Sequence, residues 1–182
     1  MPESSDECPC EGVSPPGAPG SVEDCETVLR IVPIYDQLAF GEDGVPSLTS
    51  ASFSQDELAG KSGKTVSVLR EELTPSSEIT RRCTALTKDE GWKSDPVVAR
   101  ASAADLRSIV NENSKREICV NADPTRAEDI LGACSTHASL IRAITQDTKI
   151  PLRLAWGVLR ATLASRFKDI RHASGISPVR RQ

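Results

Sequence analysis

The sequence predicts an α+β fold, made of a small mixed sheet, several short helices and a long amphipathic C-terminal helix. Through the middle of the chain, short Val- and Ile-rich segments with strand character alternate loosely with capped helical segments. Most strand segments are short and one is limited by a proline, which favours α+β over a doubly wound parallel sheet. Regular apolar spacing near the C-terminus predicts the long helix.

Four segments are typical of strands because they are short, rich in β-branched residues and bounded by turn residues. The first, "VLRIVPIY", contains Pro33, which confines it to a sheet edge or ends it. The others are "TVSVLRE", "PVVARAS" and "REICVNAD". The last of these ends at Asp123, since the proline that follows cannot donate a ladder hydrogen bond.

Capping residues mark where helices begin. In "SFSQDELAG", Ser54 is the expected N-cap, Glu57 completes a capping box and Gly60 is placed to end the helix. Ser102 caps a second helix in "SAADLRSIV", and Thr74 is the expected cap of a third in "TPSSEITRRCTAL". We also predict that "HASLIRAI" is helical.

The clearest helical pattern is "PLRLAWGVLRATLASRFKDI", residues 151–170. Pro151 suits the first turn of a helix, where a backbone N–H would have no intrahelical partner. Large apolar residues recur every three or four positions and therefore form one continuous stripe. The stripe consists of Leu152, Trp156, Leu159, Leu163, Phe167 and Ile170.

Composition divides the chain into three parts. Residues 1–26 are rich in Pro, Gly, Ser and acid, so we expect a disordered acidic tail. Residues 27–172 are predicted to form a single globular domain, and residues 173–182 a flexible basic tail. Residues 1–27 carry seven acids and no base, whereas residues 151–182 carry seven bases and one acid. This asymmetry indicates an interaction tail or a basic surface for an anionic partner.

The stretch "GKSGKT" ends like a phosphate-binding loop but departs from one in two respects. Leu58 occupies the position where a P-loop has its first glycine, and Gly60 comes two positions late. A P-loop also lies between a strand and a helix, whereas here a predicted helix comes before the stretch and a predicted strand after it. We therefore predict a helix-to-strand turn and expect no nucleotide or other cofactor.

The chain has no feature of export or membrane insertion. Its first residues lack the basic and apolar regions of a signal peptide, and no apolar run approaches the roughly 18 residues of a membrane helix. We therefore expect a cytoplasmic protein without membrane association. The six cysteines, at positions 8, 10, 25, 83, 119 and 134, are expected to be reduced. The three cysteines of the acidic tail have no recognised zinc-finger spacing, and Cys134 with His137 would be half of a zinc site that needs two more ligands, so we predict no metal site.

The cluster "CSTH" combines the thiol of Cys134 with the imidazole of His137, which can act as nucleophile and base. The turn-like residues before it indicate that Cys134 lies near a helix N-terminus, where a thiolate is stabilised. Asp123 follows a strand, and ligands often bind beyond strand ends. Cys134, His137 and Asp123 are therefore candidate catalytic residues. The alternative is a buried thiol, a structural histidine and an Asp-Pro turn.

Basic residues of the predicted C-terminal helix share one side of the helical wheel, next to the apolar stripe. Two further arginines extend this charge along the basic tail. Such a surface suits phosphate contacts, but no nucleic-acid recognition motif accompanies it, and a solvated basic face is the alternative. The candidate anion-binding residues are Arg153, Arg160, Lys168, Arg171, Arg180 and Arg181.

Three functions are compatible with these features. The first is a small interaction or regulatory domain without catalysis that binds an unidentified protein partner, because no complete catalytic constellation is visible. The second is a nucleic-acid-binding protein that uses the basic C-terminal helix. The third is an enzyme with a thiol site at Cys134 and His137. The sequence leaves open whether the chain is an enzyme.

Overall fold

The described part of the chain is built on a six-stranded sheet with helices on both faces. A computed structural model describes residues 14–32, 37–89, 96–112, 114–126, 129, 131–143 and 154–173. The strands are β1 (Thr27–Val32), β2 (Leu38–Phe40), β3 (Pro46–Leu48), β4 (Val66–Arg70), β5 (Val97–Ser102), β6 (Ile118–Ala122), β7 (His137–Arg142) and β8 (Lys168–His172). The helices are α1 (Gln55–Leu58), α2 (Ser76–Asp89), α3 (Ala103–Arg107) and α4 (Trp156–Arg166).

The sheet is assembled from two three-stranded halves. Its strand order is β6-β7-β4-β1-β5-β8, and β2 pairs with β3 in a separate hairpin. Neighbouring strands of the described residues pair antiparallel, and together with the helices they give the predicted α+β class. β1 pairs with β5 over six residues, but with β4 only through Val28↔Arg70 and Leu29↔Leu69. These two residue pairs, called the joint below, connect the halves.

The main core lies on one face of the sheet, under α3, α4 and the β2–β3 hairpin. Phe53 and Phe167 meet there with their ring centroids 5.4 Å apart. Because successive residues of a strand point to opposite faces, Val66 and Val68 of β4 enter this core while Leu69 enters a second apolar cluster on the other face. Helix α2 covers that second face and contributes Cys83 to the cluster.

The predicted helix caps of two short helices are confirmed. The Ser54 hydroxyl accepts from the Glu57 amide before α1, and the Ser102 hydroxyl accepts from the Asp105 amide before α3. Gly60 ends α1 with a left-handed φ of 66°, which glycine adopts without strain. A 3₁₀ turn follows, and β4 begins at Val66, so "GKSGKT" lies between a helix and a strand as predicted.

Thr74 has a role other than the predicted cap. Its hydroxyl donates to the Arg70 carbonyl at 2.6 Å and lies 2.7 Å from the Thr136 hydroxyl. The side chain therefore ties the segment before α2 to the start of β7, instead of capping the helix.

Two helix predictions near the C-terminus are wrong. "HASLIR" is strand β7, whose residues are almost all buried between β4 and β6. A short run buried on both faces has no periodicity that separates helix from strand. The C-terminal helix α4 has 11 residues and ends at Arg166; the chain then becomes β8, which pairs with β5. Residues 151–153 of the predicted helix lie outside the described residues.

Four residues of the predicted apolar stripe are nevertheless buried, Trp156 is half-buried against the main core, and Leu152 lies outside the described residues. Leu159 and Leu163 from α4 and Ile170 from β8 all pack in the main core. The apolar spacing therefore identified the inward-facing residues correctly, although the backbone changes from helix to strand between them. Among the described residues, no helix has the length and apolar character needed to cross a membrane.

A buried ion pair holds the joint between the two halves. Arg70 is 3% exposed and donates Nε to Glu26 Oε2 at 2.6 Å, Nη1 to the Gly20 carbonyl and Nη2 to the Ser21 carbonyl, both at 2.8 Å. Burial opposes ionisation of Glu26, but hydrogen bonds from Arg70 and from the Glu23 amide outweigh it, so its pKa lies below the ordinary value.

The same segment is clamped a second time by Arg107. This arginine of α3 donates to Asp24 Oδ1 and to the Val22 carbonyl, each at 2.7 Å, and the Val22 side chain is buried in the main core. The last residues of the predicted acidic tail thus make specific contacts with the sheet and with α3. The boundary of the tail at residue 26 stays a prediction.

We predict that Glu26→Ala lowers the free energy of unfolding by about 3–5 kcal/mol, because it leaves the Arg70 cation buried without its carboxylate. Glu26→Gln, which retains an acceptor oxygen, lowers it less. The matched control is Asp56→Ala, which removes an exposed ion pair with Lys61 and produces no resolved change. Urea unfolding measures all three variants, and equal effects of Glu26→Ala and Asp56→Ala would contradict a structural role for the buried pair.

Candidate functional site

A cleft of about 210 Å³ opens where β1 and β4 diverge. In these two fully described strands, pairing stops at Leu29↔Leu69, so Ile31 and Ser67, which the same register would pair, are not paired by ladder hydrogen bonds. Both residues line the cleft. Helix α2 adds Arg82 and Leu86 to its wall, and β7 adds His137. We call this space the β1–β4 cleft.

Within the β1–β4 cleft, Ser67 and His137 form a hydrogen-bonded pair. The register of β4 and β7 places His137 opposite Leu69, so Ser67 is its diagonal neighbour on the same face of the sheet. Ser67 Oγ lies 2.8 Å from His137 Nε2. The other ring nitrogen, Nδ1, is hydrogen-bonded to the backbone carbonyl of Asp123. The Asp123 amide in turn donates to the His137 carbonyl at 3.1 Å.

These partners determine where the imidazole carries its proton. A carbonyl oxygen only accepts hydrogen bonds, so His137 Nδ1 must carry the hydrogen. In the neutral ring Nε2 then has the lone pair, and the Ser67 hydroxyl donates to it. The side chain of His137 is 4% exposed, whereas Ser67 is exposed to solvent. A buried acceptor nitrogen therefore faces a hydroxyl that a ligand can reach.

The environment of His137 favours its neutral form. Burial is the largest influence and lowers the pKa of His137 below its ordinary value of 6.5, and the hydrogen bond to the Asp123 carbonyl opposes that effect only in part. The nearby Arg82 cation lowers the pKa further. A neutral imidazole with a free lone pair is the form that a general base requires.

Two arginines support the walls of the cleft. Arg30 of β1 reaches across the divergence, where Nη1 donates to the Ser67 carbonyl at 3.0 Å and Nη2 to the Ser52 carbonyl at 3.2 Å. Arg82 of α2 donates Nε to Glu78 Oε1 at 2.8 Å and Nη2 to the Gly132 carbonyl at 3.1 Å. Arg30 thus spans the opening between β1 and β4, while Arg82 connects α2 to the segment before β7.

The structure brings together His137 and Asp123 from the predicted catalytic set, but not in the predicted roles. Asp123 contributes its backbone carbonyl to His137, instead of its carboxylate. Cys134 forms an isolated β-bridge with Thr125, not the predicted helix N-terminus. Its Sγ lies 3.3 Å from the Thr136 hydroxyl, and both nitrogens of His137 are engaged by Ser67 and Asp123. The hydrogen bonds around His137 therefore do not couple it to the thiol.

Of the four cysteines in the described residues, three are free thiols as expected and one is not. Cys83 is a free thiol whose burial raises its pKa to about 11, so it is not activated. Cys25 and Cys134 are free as predicted. Cys119 is disulfide-bonded, which contradicts the prediction that all cysteines are reduced. Among the described residues, no cluster of His, Cys, Asp and Glu has the arrangement of a metal site.

The three predicted basic residues that the structure describes do not share one helical face. Arg160 lies on α4 and donates Nε to the Ser50 carbonyl at 3.0 Å. Lys168 and Arg171 lie on β8, after the helix has ended, and Arg171 pairs with Asp169 at 2.7 Å. Arg153, Arg180 and Arg181 lie outside the described residues. The helical wheel therefore does not describe the arrangement of Lys168 and Arg171.

Sequence reasoning missed Ser67 as a site residue. Its signal is weak: a single serine between Val66 and Val68 in a strand, which indicates a polar position on the face opposite the main core. Many exposed strand positions have this pattern. Only the β4–β7 register, which pairs residues about 70 positions apart, brings Ser67 next to His137.

Comparison with known proteins gives no relative. No protein-family model, curated protein sequence or solved structure matches the chain.

We predict that the free energy of unfolding decreases as the pH is lowered from about 7 to 5, and that His137→Asn reduces this decrease. In the unfolded chain a histidine binds a proton as the pH falls through about 6.5, whereas folded His137 resists protonation because its pKa is lowered. Protons therefore favour the unfolded state in this range. Urea unfolding at several pH values tests the prediction; the same pH dependence in both proteins would contradict it.

Proposed function

We propose that this chain is a hydrolase that acts on esters by acyl transfer, with Ser67 as nucleophile and His137 as general base. The observation that carries the proposal is the 2.8 Å contact between Ser67 Oγ and His137 Nε2, with the tautomer held by the Asp123 carbonyl. A nucleophile, a base within hydrogen-bond reach and a third group that orients the base are the components of nucleophilic hydrolysis. The adjoining β1–β4 cleft supplies space for a substrate.

In the proposed reaction, Ser67 Oγ attacks the carbonyl carbon of the ester while its proton passes to His137 Nε2. The tetrahedral intermediate collapses, the bond to the alcohol oxygen breaks, and His137 returns the proton to that oxygen. Water then attacks the acyl carbon on Ser67 while its proton passes to His137 Nε2. The bond from that carbon to Ser67 Oγ breaks, His137 returns the proton to Oγ, and the acid leaves. The developing oxyanion needs donors, and the Gln37 amide and Thr65 hydroxyl are donors in the cleft lining.

The use of the Asp123 carbonyl to orient His137 predicts a low rate of hydrolysis. The Asp123 carbonyl holds the ring as a carboxylate would, but it carries a dipole and no full negative charge. It therefore stabilises the imidazolium formed during the reaction less strongly, and burial of His137 opposes that charge as well. We accordingly expect a slow hydrolase whose activity requires neutral His137. Because the pKa of His137 is lowered, that activity persists below the ordinary histidine pKa of 6.5 and declines only in more acidic solution.

The functions expected from the sequence remain competing proposals. A non-catalytic interaction domain is the alternative if the Ser67–His137 bond only joins two strands. Nucleic-acid binding remains a prediction, and Arg160 and Arg171 use their guanidinium groups in contacts within the chain. A Cys134 nucleophile is less well supported than Ser67, because the His137 nitrogens are engaged elsewhere.

We predict that a fluorophosphonate probe labels Ser67 of the full-length chain, as detected by intact mass and peptide mapping. Ser67→Ala abolishes the labelling. His137→Gln slows it by about 10²- to 10⁴-fold, the usual contribution of a general base.

The matched control is Ser139→Ala, which removes the serine directly opposite Ser67 in the β4–β7 register and leaves labelling unchanged. Because the modified residue is mapped in the unaltered chain, the result does not depend on whether every variant folds. Labelling of another residue, or no labelling of the folded chain, would overturn the proposal and favour an interaction domain.

A further inference from the structure

We infer that the β1–β4 cleft selects esters of short aliphatic acids with a polar alcohol; this inference rests on the proposed function. The cleft lining is divided by burial. Leu29, Leu69 and Leu86 are fully or almost fully buried, whereas Gln37, Glu57 and Thr65 are only partly buried. The inner end of the cleft is therefore largely aliphatic, and the end toward solvent is polar.

The polar side chains at the inner end are already engaged. Arg82 is 3% exposed and its guanidinium donates to Glu78 and to the Gly132 carbonyl. His137 bonds to Ser67 and Asp123. A polar or charged acyl group placed there would lose its hydration and would compete with these partners for hydrogen bonds, which is costly in a buried site. An aliphatic acyl group has no hydrogen bonds to water to lose on entering.

The size of the cleft limits the length of the acyl chain. At roughly 30 Å³ for each water-sized group, the 210 Å³ cleft has room for about seven non-hydrogen atoms. That is an acyl group of about four to six carbons. Each methylene that finds apolar contact adds about fourfold to binding, so the rate should rise up to this length and fall beyond it.

The polar residues at the solvent end of the cleft explain the expected preference for a polar alcohol group. Glu57 of α1 carries a carboxylate there, beside Gln37 and Thr65. Polar hydroxyl or amine groups on the alcohol find acceptors at this end, whereas an anionic alcohol meets the Glu57 charge. The geometry therefore orients the ester with its acyl chain inward and its alcohol toward solvent.

Leu86 is the residue assigned to chain-length selection. It lies on α2, 8% exposed, with its side chain in the cleft wall, and it belongs neither to the serine–histidine pair nor to its orienting contacts. Removing its isobutyl group lengthens the apolar end of the cleft. Replacing it with a larger ring shortens that end.

The experiment measures kcat/KM of the full-length chain on p-nitrophenyl esters with acyl chains of two to ten carbons. The wild-type profile is expected to peak at about four to six carbons and to fall at least tenfold by ten carbons. Leu86→Ala shifts the peak to longer chains by about two carbons, and Leu86→Phe shifts it to shorter ones. Leu48→Ala is the matched control, since Leu48 is similarly buried, at 6% exposed, in the β2–β3 hairpin outside the cleft; it leaves the peak unchanged.

The outcomes separate this inference from the proposed function. If fluorophosphonate labels Ser67 but the rates do not depend on chain length, or no ester is hydrolysed, the substrate assignment is wrong while the serine site stands. If Leu86→Ala and Leu48→Ala shift the profile equally, the cleft wall is not the selecting element. If Ser67 is not labelled at all, the proposed function fails first. The wild-type profile tests the assignment even if a Leu86 variant does not fold.

Discussion

The two-residue joint between β1 and β4 is the constraint on which the rest of the structure depends. It makes a six-stranded sheet out of two halves, but it is too short to keep β1 and β4 in register along their length. The strands therefore diverge beyond Leu29 and Leu69, and the β1–β4 cleft opens between them. A full ladder in the same register would instead pair Ile31 with Ser67.

Charged side chains stabilise the joint at both of its ends. Arg70 and Glu26 form a buried ion pair at its closed end, and Arg30 donates across its open end to the Ser67 carbonyl. Buried ions are stable only with well-placed hydrogen bonds, and the two backbone carbonyls that Arg70 also reaches supply them. Two of the acidic residues before β1, Asp24 and Glu26, thus pair with cations within the chain. Part of the charge asymmetry seen in the sequence is satisfied internally, through Arg70 and Arg107, without an external partner.

The chemistry of the candidate site follows from a balance between burial and hydrogen bonding at His137. Burial keeps the ring neutral, and the Asp123 carbonyl determines which nitrogen carries the hydrogen. A carboxylate in the same position would also orient the ring but would raise its pKa, which would move the base toward its protonated form. The arrangement therefore keeps His137 neutral and able to accept a proton, but it stabilises the imidazolium form less than a carboxylate would.

The sequence by itself determined the local features of the protein. Ser54, Ser102 and Gly60 acted as expected because caps and left-handed glycines depend on neighbours within a few residues. Apolar spacing identified Leu159, Leu163 and Ile170 as core residues, since burial follows from hydrophobicity whatever the backbone conformation. Of the candidate site, the sequence identified His137 and Asp123 as candidate catalytic residues. The structure shows that His137 is hydrogen-bonded to Ser67 and to the backbone carbonyl of Asp123, which the sequence did not indicate.

Tertiary structure decided the features that depend on contacts between distant segments: the conformation of β7, the end of α4 and the contact between Ser67 and His137. "HASLIR" became a strand because β4 and β6 pair with it on both sides, and α4 ended at Arg166 because the edge of β5 was available to pair with the following residues. Hydrogen-bond partners offered by other strands outweigh helix propensity, which amounts to less than about 1 kcal/mol per residue. The meeting of Ser67 with His137 is of the same kind. It depends on the register between β4 and β7, two strands whose paired residues are about 70 positions apart, so the contact exists only once the sheet has assembled.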